Sequence, residues 1–443
     1  GLDLMGLQLE HPWDANAVNL SEADLRGSSL ADLDLSESNL CSVVLDRADL
    51  RGARFRDSDL TGASLVRANL WEAEFDACEL QEADFSWACL RGASLEGCRG
   101  LQADFWGADL THADLSGADM WGAVFSHACL RGADLRSADM KAVRFNNADL
   151  RQATLEGVHM SQSVMHEANF EEADLSHADL SLLIADYPSF KGANLEYAQL
   201  QNAQLDMATF TGAFMKGINL ESSDLTTSFM KKANLKGAIL CNAVLDLVDF
   251  SMSDLTDADL SGSSLQRANL DGARLVGVNL DGANMTGARF DRETTWPQGF
   301  DPTQCGAVGP GAQLKEADYE TMSHLSDADL EGVNLTGANL EECELHNTNL
   351  RYAVLRDANL SWATFAKTDL LGADLTGAHL AFSFYDAETL WPEDFDYRRS
   401  GAIGPGADLR GIDLSQVNGL ERADLSGALY DDTTTWPDGF EPA

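Results

Sequence analysis

Nine histidines, eight cysteines and 72 acidic residues are the raw material for chemistry in this chain. A structural or catalytic metal site needs several of them at ligand spacing. Neither a His-Glu-x-x-His pattern nor a pair of Cys-x-x-Cys knuckles occurs. His159 and His166 stand close in sequence, and Cys78 and Cys98 stand twenty residues apart. Asp84 and Asp104, and Asp119 and Asp139, share that interval; each carboxyl could raise the pKa of its partner if the two are held together, but as exposed residues they read first as solvated faces. Tryptophan offers another kind of site. Trp71, Trp87, Trp106 and Trp121 are candidates for an aromatic protein-binding surface, because exposed indoles concentrate binding energy. Which of these residues meet depends on the elements that carry them.

Those elements follow from two periods. Every fifth residue from Leu20 to Phe290 is Leu, Phe or Met, except Gly100 and Ala185. Five is the period of neither a helix nor an ordinary strand, and a frame kept this long means a repeat architecture. With the large apolar residue called i, position i−2 is small (Ala23, Ala48, Cys78), i−1 is usually Asp or Asn (Asp24, Asn69, Asp109), and i+2 is often Gly (Gly27, Gly52, Gly107). Residues i−2 and i share a parity and point to one side of an extended segment. Gly at i+2 supplies the positive φ of a type II turn, and Asp or Asn at i−1 can accept from nearby backbone N–H groups. Each pentapeptide is therefore a short strand and a corner. The second period is twenty: Phe85, Phe105, Phe125 and Phe145, then Phe170, Phe190 and Phe210, and Met120, Met140 and Met160. Four pentapeptides closing one square coil would stack these residues at strand spacing, and thirteen to fourteen coils would make a rod of about 65 Å from Leu20 to Phe290.

Ala23-Asp24-Leu25, Ala48-Asp49-Leu50, Ala108-Asp109-Leu110 and Ala268-Asn269-Leu270 write out the A-(D/N)-L-x-x consensus of the pentapeptide-repeat family, which most of the chain resembles. The resemblance implies an all-β fold, a right-handed quadrilateral β-helix with about 20 residues per coil. A motif built on Trp-Pro appears three times, around Trp296, Trp391 and Trp436, and the first two copies lead into Gly-Ala-Val/Ile-Gly-Pro-Gly-Ala. Such appendages look like those on pentapeptide-repeat proteins of photosynthetic, cyanobacterial-like bacteria. They read either as covers over apolar edges or as an aromatic docking surface. The expected organisation is an N-terminal cap over 1–19, a main solenoid over 20–290, an excursion over 291–313 and a second block over 314–385. A second excursion over 386–407, a last coil over 408–430 and a C-terminal Trp-Pro cap over 431–443 complete it. One continuous solenoid with two lateral excursions is the reading, and jointed rods are the alternative. The frame also marks two breaks: Gly100 and Ala185-Asp186-Tyr187-Pro188 are expected to bulge or loosen a corner, Pro188 because it lacks a backbone donor.

A filled square solenoid has flat faces and no pocket in which catalytic groups converge, so no enzyme activity, cofactor or metal is expected. His159 and His166 fall on different faces and read as surface residues. Cys78 and Cys98 read as small core residues, since a disulfide would strain a parallel ladder. Formal net charge is −42, which argues against direct contact with nucleic acid or an anionic membrane. No apolar run is long enough to enter a membrane, no signal-peptide pattern stands at the start, and cysteine usage fits a reducing, cytoplasmic setting. Two functions remain. The first is a non-enzymatic scaffold binding an unidentified protein through a flat acidic and aromatic face, with Trp87 and Trp106 on one corner flanked by Arg67 and His127; simple surface packing of these rings is the other reading. The second is implied by the resemblance: some acidic family members mimic DNA and bind type II topoisomerases, protecting or inhibiting them. Those members are shorter dimers, whereas this chain carries excursions and ends in Thr435-Trp436-Pro437-Asp438. An incomplete cap would leave an end open to self-association.

Overall fold

The computed structural model describes Met5 and residues 16–317, 325–418 and 420–442. The expected N-terminal cap therefore lies almost wholly outside the described residues. The chain divides into two compact units, one of residues 1–265 and 274–283 and the other of residues 266–273 and 284–443.

The first unit is a four-sided coil repeated at a register of twenty. Residue i−1 of each pentapeptide forms a parallel bridge to the residue twenty further on, as in Asp84 to Asp104 to Val124. One bridging residue per face is too little for a formal strand. Among the described residues only β1 (Ile184–Asp186) and β2 (Gln204–Asp206) reach three residues, paired in parallel. The parity argument holds throughout, with Ala83 and Phe85 buried and Asp84 between them partly exposed.

The backbone of the segment Phe105–Asp109 shows why the repeat has five residues. Phe105 N–H donates to Val124 O at 2.7 Å and Gly107 N–H to Ser126 O at 3.0 Å. Asp109 N–H reaches back to Ala88 O at 2.9 Å, and Ala108 N–H closes the corner on Phe105 O at 3.0 Å. The remaining donor, Trp106 N–H, is taken by Asp104 Oδ1 at 2.8 Å. Every donor is satisfied, as a buried backbone demands. The preference for Asp or Asn at i−1 thus has a structural cause, repeated at Asp24, Asn69, Asp134 and Asp259.

Inside, the aromatic columns stack. Phe85 and Phe105 lie 4.9 Å apart at 4°, and Phe105 and Phe125 lie 4.7 Å apart at 3°. Phe170, Phe190 and Phe210 repeat the arrangement at 5.1 and 5.0 Å. Cys78 and Cys98 are buried free thiols that donate to Phe55 O and Phe75 O.

The two expected breaks behave differently. Gly100 neither bulges nor loosens its corner: its N–H donates to Asp119 O at 2.7 Å and its carbonyl accepts from Ala103 N–H at 3.0 Å. Its missing side chain is replaced by Met120 of the next coil, whose Sδ occupies the space a Cβ would need. At Pro188 the corner lacks its closing bond, because no N–H exists to bond Ala185 O. The ladder nevertheless runs on through Thr209 N–H to Pro188 O at 2.9 Å.

In the second unit the coils from Leu325 to Tyr385 keep the twenty-residue register, as in Asn339 to Asn359 to His379. The first two Trp-Pro segments pair with the preceding coil at both ends. In the second copy Leu390 bridges Asp369 and Ile403 bridges Phe384. A buried threonine anchors each copy: Thr294, Thr389 and Thr434 donate to Leu270 O, Phe365 O and Leu409 O at 2.8, 2.7 and 2.9 Å. Each tryptophan then turns edge-on to the ring that ends the coil, Trp296 to Phe290 and Trp391 to Tyr385 at 5.4 Å, and Trp436 to Tyr430 at 5.4 Å. Trp391 and Trp436 are partly buried against the apolar cluster of this unit.

Removing one ring from a column leaves a void that flanking rings cannot fill, because the ladder fixes their spacing. Phe105→Ala is expected to destabilise the first unit by about 3–5 kcal/mol, read from urea denaturation. A loss below about 1 kcal/mol would mean that the column relaxes and is not held by the ladder.

Candidate functional site

Corners are the positions where side chains leave the coil together. Residues i+1 and i+2 after Leu25, Leu45, Leu65, Phe85 and Phe105 form one such corner, running down the first unit. It bears Arg26, Asp46, Arg47, Val66, Arg67, Trp87 and Trp106, and with Asp84, Asp104 and Met5 it lines a groove of about 810 Å³.

Trp87 and Trp106 meet edge to face, 4.6 Å between centroids at 84°. Their approach is set by the backbone, since Trp87 N–H donates to Trp106 O at 2.9 Å. A glycine makes room for it. A Cβ on Gly107 would come within 2.9 Å of Trp87 Cε3, so the indole lies flat across that residue. His127 continues the series, 5.3 Å from Trp106. Trp87 is 51% exposed, far more than a ring of that size needs to be.

Of the four tryptophans expected at the site, the structure brings these two together. Trp71 follows Leu70 and Trp121 follows Met120, so each occupies a flanking corner, 48% and 45% exposed. The arginine series was overlooked beyond Arg67. Its sequence signal is simple: Arg47 and Arg67 occupy the same repeat position twenty residues apart. Arg26 is held by Asp24 at 2.5 Å, whereas Arg47 and Arg67 form no ion pair with a described residue. Asp46 is occupied, accepting from Ser64 Oγ and, at 3.2 Å, from Val66 N–H.

Burial pushes the Asp104 carboxyl above its ordinary range. The hydrogen bond from Trp106 N–H opposes the shift, and the neighbouring Asp84 adds to it. Burial is thus the larger cause of the shift at Asp104, and the stacked Asp84 the lesser.

A second concavity, of about 850 Å³, lies in the second unit around Trp391, Tyr397, Arg398, Arg399, Asp408 and Arg410. Tyr397-Arg398-Arg399 stands where the first copy has Pro302-Thr303-Gln304, and Tyr397 stacks on Trp391 at 5.4 Å and 7°. Its charges are largely internal: Arg410 binds Asp408 at 2.7 Å and holds that carboxyl down to about 2. Among the described residues no three His, Cys, Asp or Glu side chains converge on a point that could hold a metal.

The comparisons with known proteins agree on the repeat. The family of pentapeptide repeats matches residues 19–57, 58–97, 103–141, 144–181, 189–226, 230–262, 253–292, 323–361 and 343–381, well over half of the chain. Such repeats fold as right-handed quadrilateral β-helices, which supplies the hand of the coil. Among solved structures, the pentapeptide repeat protein alr5209 from Nostoc PCC 7120 is 36% identical over 22% of this chain and 82% of its own, with a TM-score of 0.22. HetL, a pentapeptide repeat protein involved in heterocyst differentiation regulation in Nostoc sp. strain PCC 7120, is 27% identical over 62% of this chain and 90% of its own, at 0.16. QnrB1, a plasmid-mediated fluoroquinolone resistance protein, is 17% identical over 45% of this chain and 91% of its own, at 0.25. No curated protein matches the sequence.

Two substitutions test the corner. Gly107→Ala places a Cβ at positive φ and against Trp87, and is expected to cost about 1–2 kcal/mol and to change the near-ultraviolet circular dichroism of the indoles; an unchanged spectrum would mean that Trp87 does not lie across Gly107. Asp104→Asn keeps the acceptor for Trp106 N–H and removes the charge. A carboxyl whose folded pKa is raised weakens the fold above its unfolded pKa of about 3.9. The variant should therefore be the more stable protein at pH 7, with the difference shrinking as the pH falls through the raised folded pKa and gone below the unfolded value of about 3.9. A less stable variant at pH 7 would overturn that account.

Proposed function

The chain belongs to the pentapeptide repeat family, and we propose that it is a non-enzymatic scaffold that holds another protein against the Trp87–Trp106 corner. The observation that carries this reading is the indole pair itself, exposed on a rigid backbone beside Arg47 and Arg67, whose guanidinium groups lack a carboxylate partner among the described residues. Aromatic and arginine side chains are those that anchor protein interfaces. Such an anchor needs little reorganisation on binding, because Gly107 and the ladder already hold Trp87 in place. Pentapeptide repeat proteins are generally structural or interaction proteins, and the free cysteines support a reducing, cytoplasmic setting.

Mimicry of DNA for a type II topoisomerase is the second reading, favoured by the net charge of −42. Much of that charge has another use. Asp84, Asp104, Asp109 and Asp114 each accept the N–H two residues on, so part of the acidic surface serves the coil whatever it binds.

Capture of partners from a host lysate at low and high salt, with identification by mass spectrometry, separates the two. A partner retained at high salt by the wild type and lost by Trp87→Ala with Trp106→Ala is the expected result. A salt-labile topoisomerase that ignores both substitutions would replace the scaffold reading with the mimic.

A further inference from the structure

Five of the chain's eight lysines lie between Lys191 and Lys236, and the fold gathers all five around one face of the first unit. Lys191, Lys231 and Lys232 stand on the corner that follows Phe190, Phe210 and Met230. The backbone stacks that corner through Gly192 N–H to Thr211 O at 3.1 Å and Gly212 N–H to Lys231 O at 2.9 Å. Lys216 and Lys236 stand on the next corner, stacked through Tyr197 N–H to Lys216 O at 2.9 Å and Gly217 N–H to Lys236 O at 3.0 Å. Between the two corners runs the ladder Asn194, Phe214, Asn234. Phe214 fills an outward position that in many coils carries Asp or Asn, and its ring is 53% exposed.

All five ammonium groups are exposed, and none is in an ion pair with a described residue. The contrast is local. Lys141 and Lys367 are held by Asp139 and Glu388 at 3.2 and 3.4 Å. On these two corners, over these three coils, Glu196 is the single acidic residue against five lysines. Lys216 lies 5.8 Å from the Tyr197 ring. That ring lies flat across Gly217, where a Cβ would meet it at 2.7 Å, and stacks on His177 at 5.4 Å.

We infer that this face is a second docking surface, and that its partner is a short acidic protein segment carrying an apolar side chain. Charge complementarity selects the acidic segment. A cluster of unpaired lysines on a chain of net charge −42 leaves cations for a partner to neutralise. The exposed phenyl ring at its centre selects an apolar group within the segment. The patch also limits the length of its partner. It covers three coils, about 10 Å along the ladder, and is bounded by Glu171, Glu172 and Asp174 on one side and Asp254 and Asp257 on the other. A long polyanion such as nucleic acid would overrun onto those carboxylates, and the rest of the molecule would repel it. A segment of a few residues would not. The inference shares with the proposed function the idea of a protein-binding scaffold but stands on different residues, so either can fail alone.

The test uses the full chain and four fluorescent probes: a twelve-residue peptide of glutamates around two leucines, an all-glutamate peptide, a lysine-leucine peptide and a single-stranded DNA dodecamer. Fluorescence anisotropy at 0.05 and 0.15 M salt is expected to rank the glutamate-leucine peptide first. Lys231→Gln with Lys232→Gln should weaken it roughly tenfold. Phe214→Asn, which restores the usual residue of the repeat, should remove its advantage over the all-glutamate peptide without lowering the melting temperature. Trp87→Ala with Trp106→Ala should leave it unchanged. Failure of the glutamate-leucine peptide to bind, equal binding by the patch variants, or a preference for DNA or the basic peptide would each overturn the inference.

Discussion

One backbone donor in each pentapeptide has no carbonyl to go to. Four of the five N–H groups are taken by backbone, three across to neighbouring coils and one across the corner. The fifth, at i+1, points outward beside the turn. In Phe105–Asp109 it is Trp106 N–H, and Asp104 supplies the acceptor. Where i−1 does not accept, a different solution appears: after Ser64, the Val66 N–H goes to Asp46 Oδ1 of the preceding coil at 3.2 Å, and the same carboxylate takes the Ser64 hydroxyl. The demand for an outward acceptor on nearly every face is met most often by a carboxylate. A protein made this way becomes strongly acidic as it lengthens, before any partner is considered.

The corner itself imposes the other constraint. Position i+2 lies in the left-handed region whatever residue occupies it, from Ala17 at 55° to Phe382 at 60°. For a residue other than glycine that region costs about 1–2 kcal/mol, so such residues persist only because the ladder on both sides over-determines the backbone. This explains a pattern in the aromatics. Trp87, Tyr197 and Tyr352 all occupy i+2, and each is followed twenty residues later by a glycine, Gly107, Gly217 and Gly372, across which its ring lies. One strained corner presents the ring, and the next gives up its Cβ to receive it. The docking candidates are built by the same rule that builds the coil.

Much of this was legible in the sequence because its information is periodic. The five-residue frame set the inward and outward faces, and the twenty-residue frame paired Phe85 with Phe105 and Trp87 with Trp106. It also placed Trp71 and Trp121 after different apolar residues, on flanking corners. What escaped was coupling between columns. Gly100 looked like a break because its own position was empty, yet Met120, in the same column one coil on, fills the space. The lysine face escaped for another reason. A net charge of −42 averages over the chain, and five lysines spread over forty-six residues look dispersed until the coil folds them onto two corners.

That averaging bears on how such a molecule can be specific. Beyond a Debye length of about 8–10 Å a partner feels little of the total charge, and at contact it meets three or four coils of one face. Each face is an independent surface, since changing i−1, i+1 or i+2 alters the exterior without touching the packed column inside. Phe214 illustrates the freedom: its N–H and carbonyl keep the ladder bonds to Ala193 and Leu195 at 2.9 and 2.7 Å, while its ring replaces the usual carboxylate. The first unit can therefore carry an arginine-tryptophan corner and a lysine-phenylalanine face on one scaffold. Binding would then be set by the few residues within reach of each contact, and the acidity of the whole chain would describe its backbone chemistry more than its choice of partner.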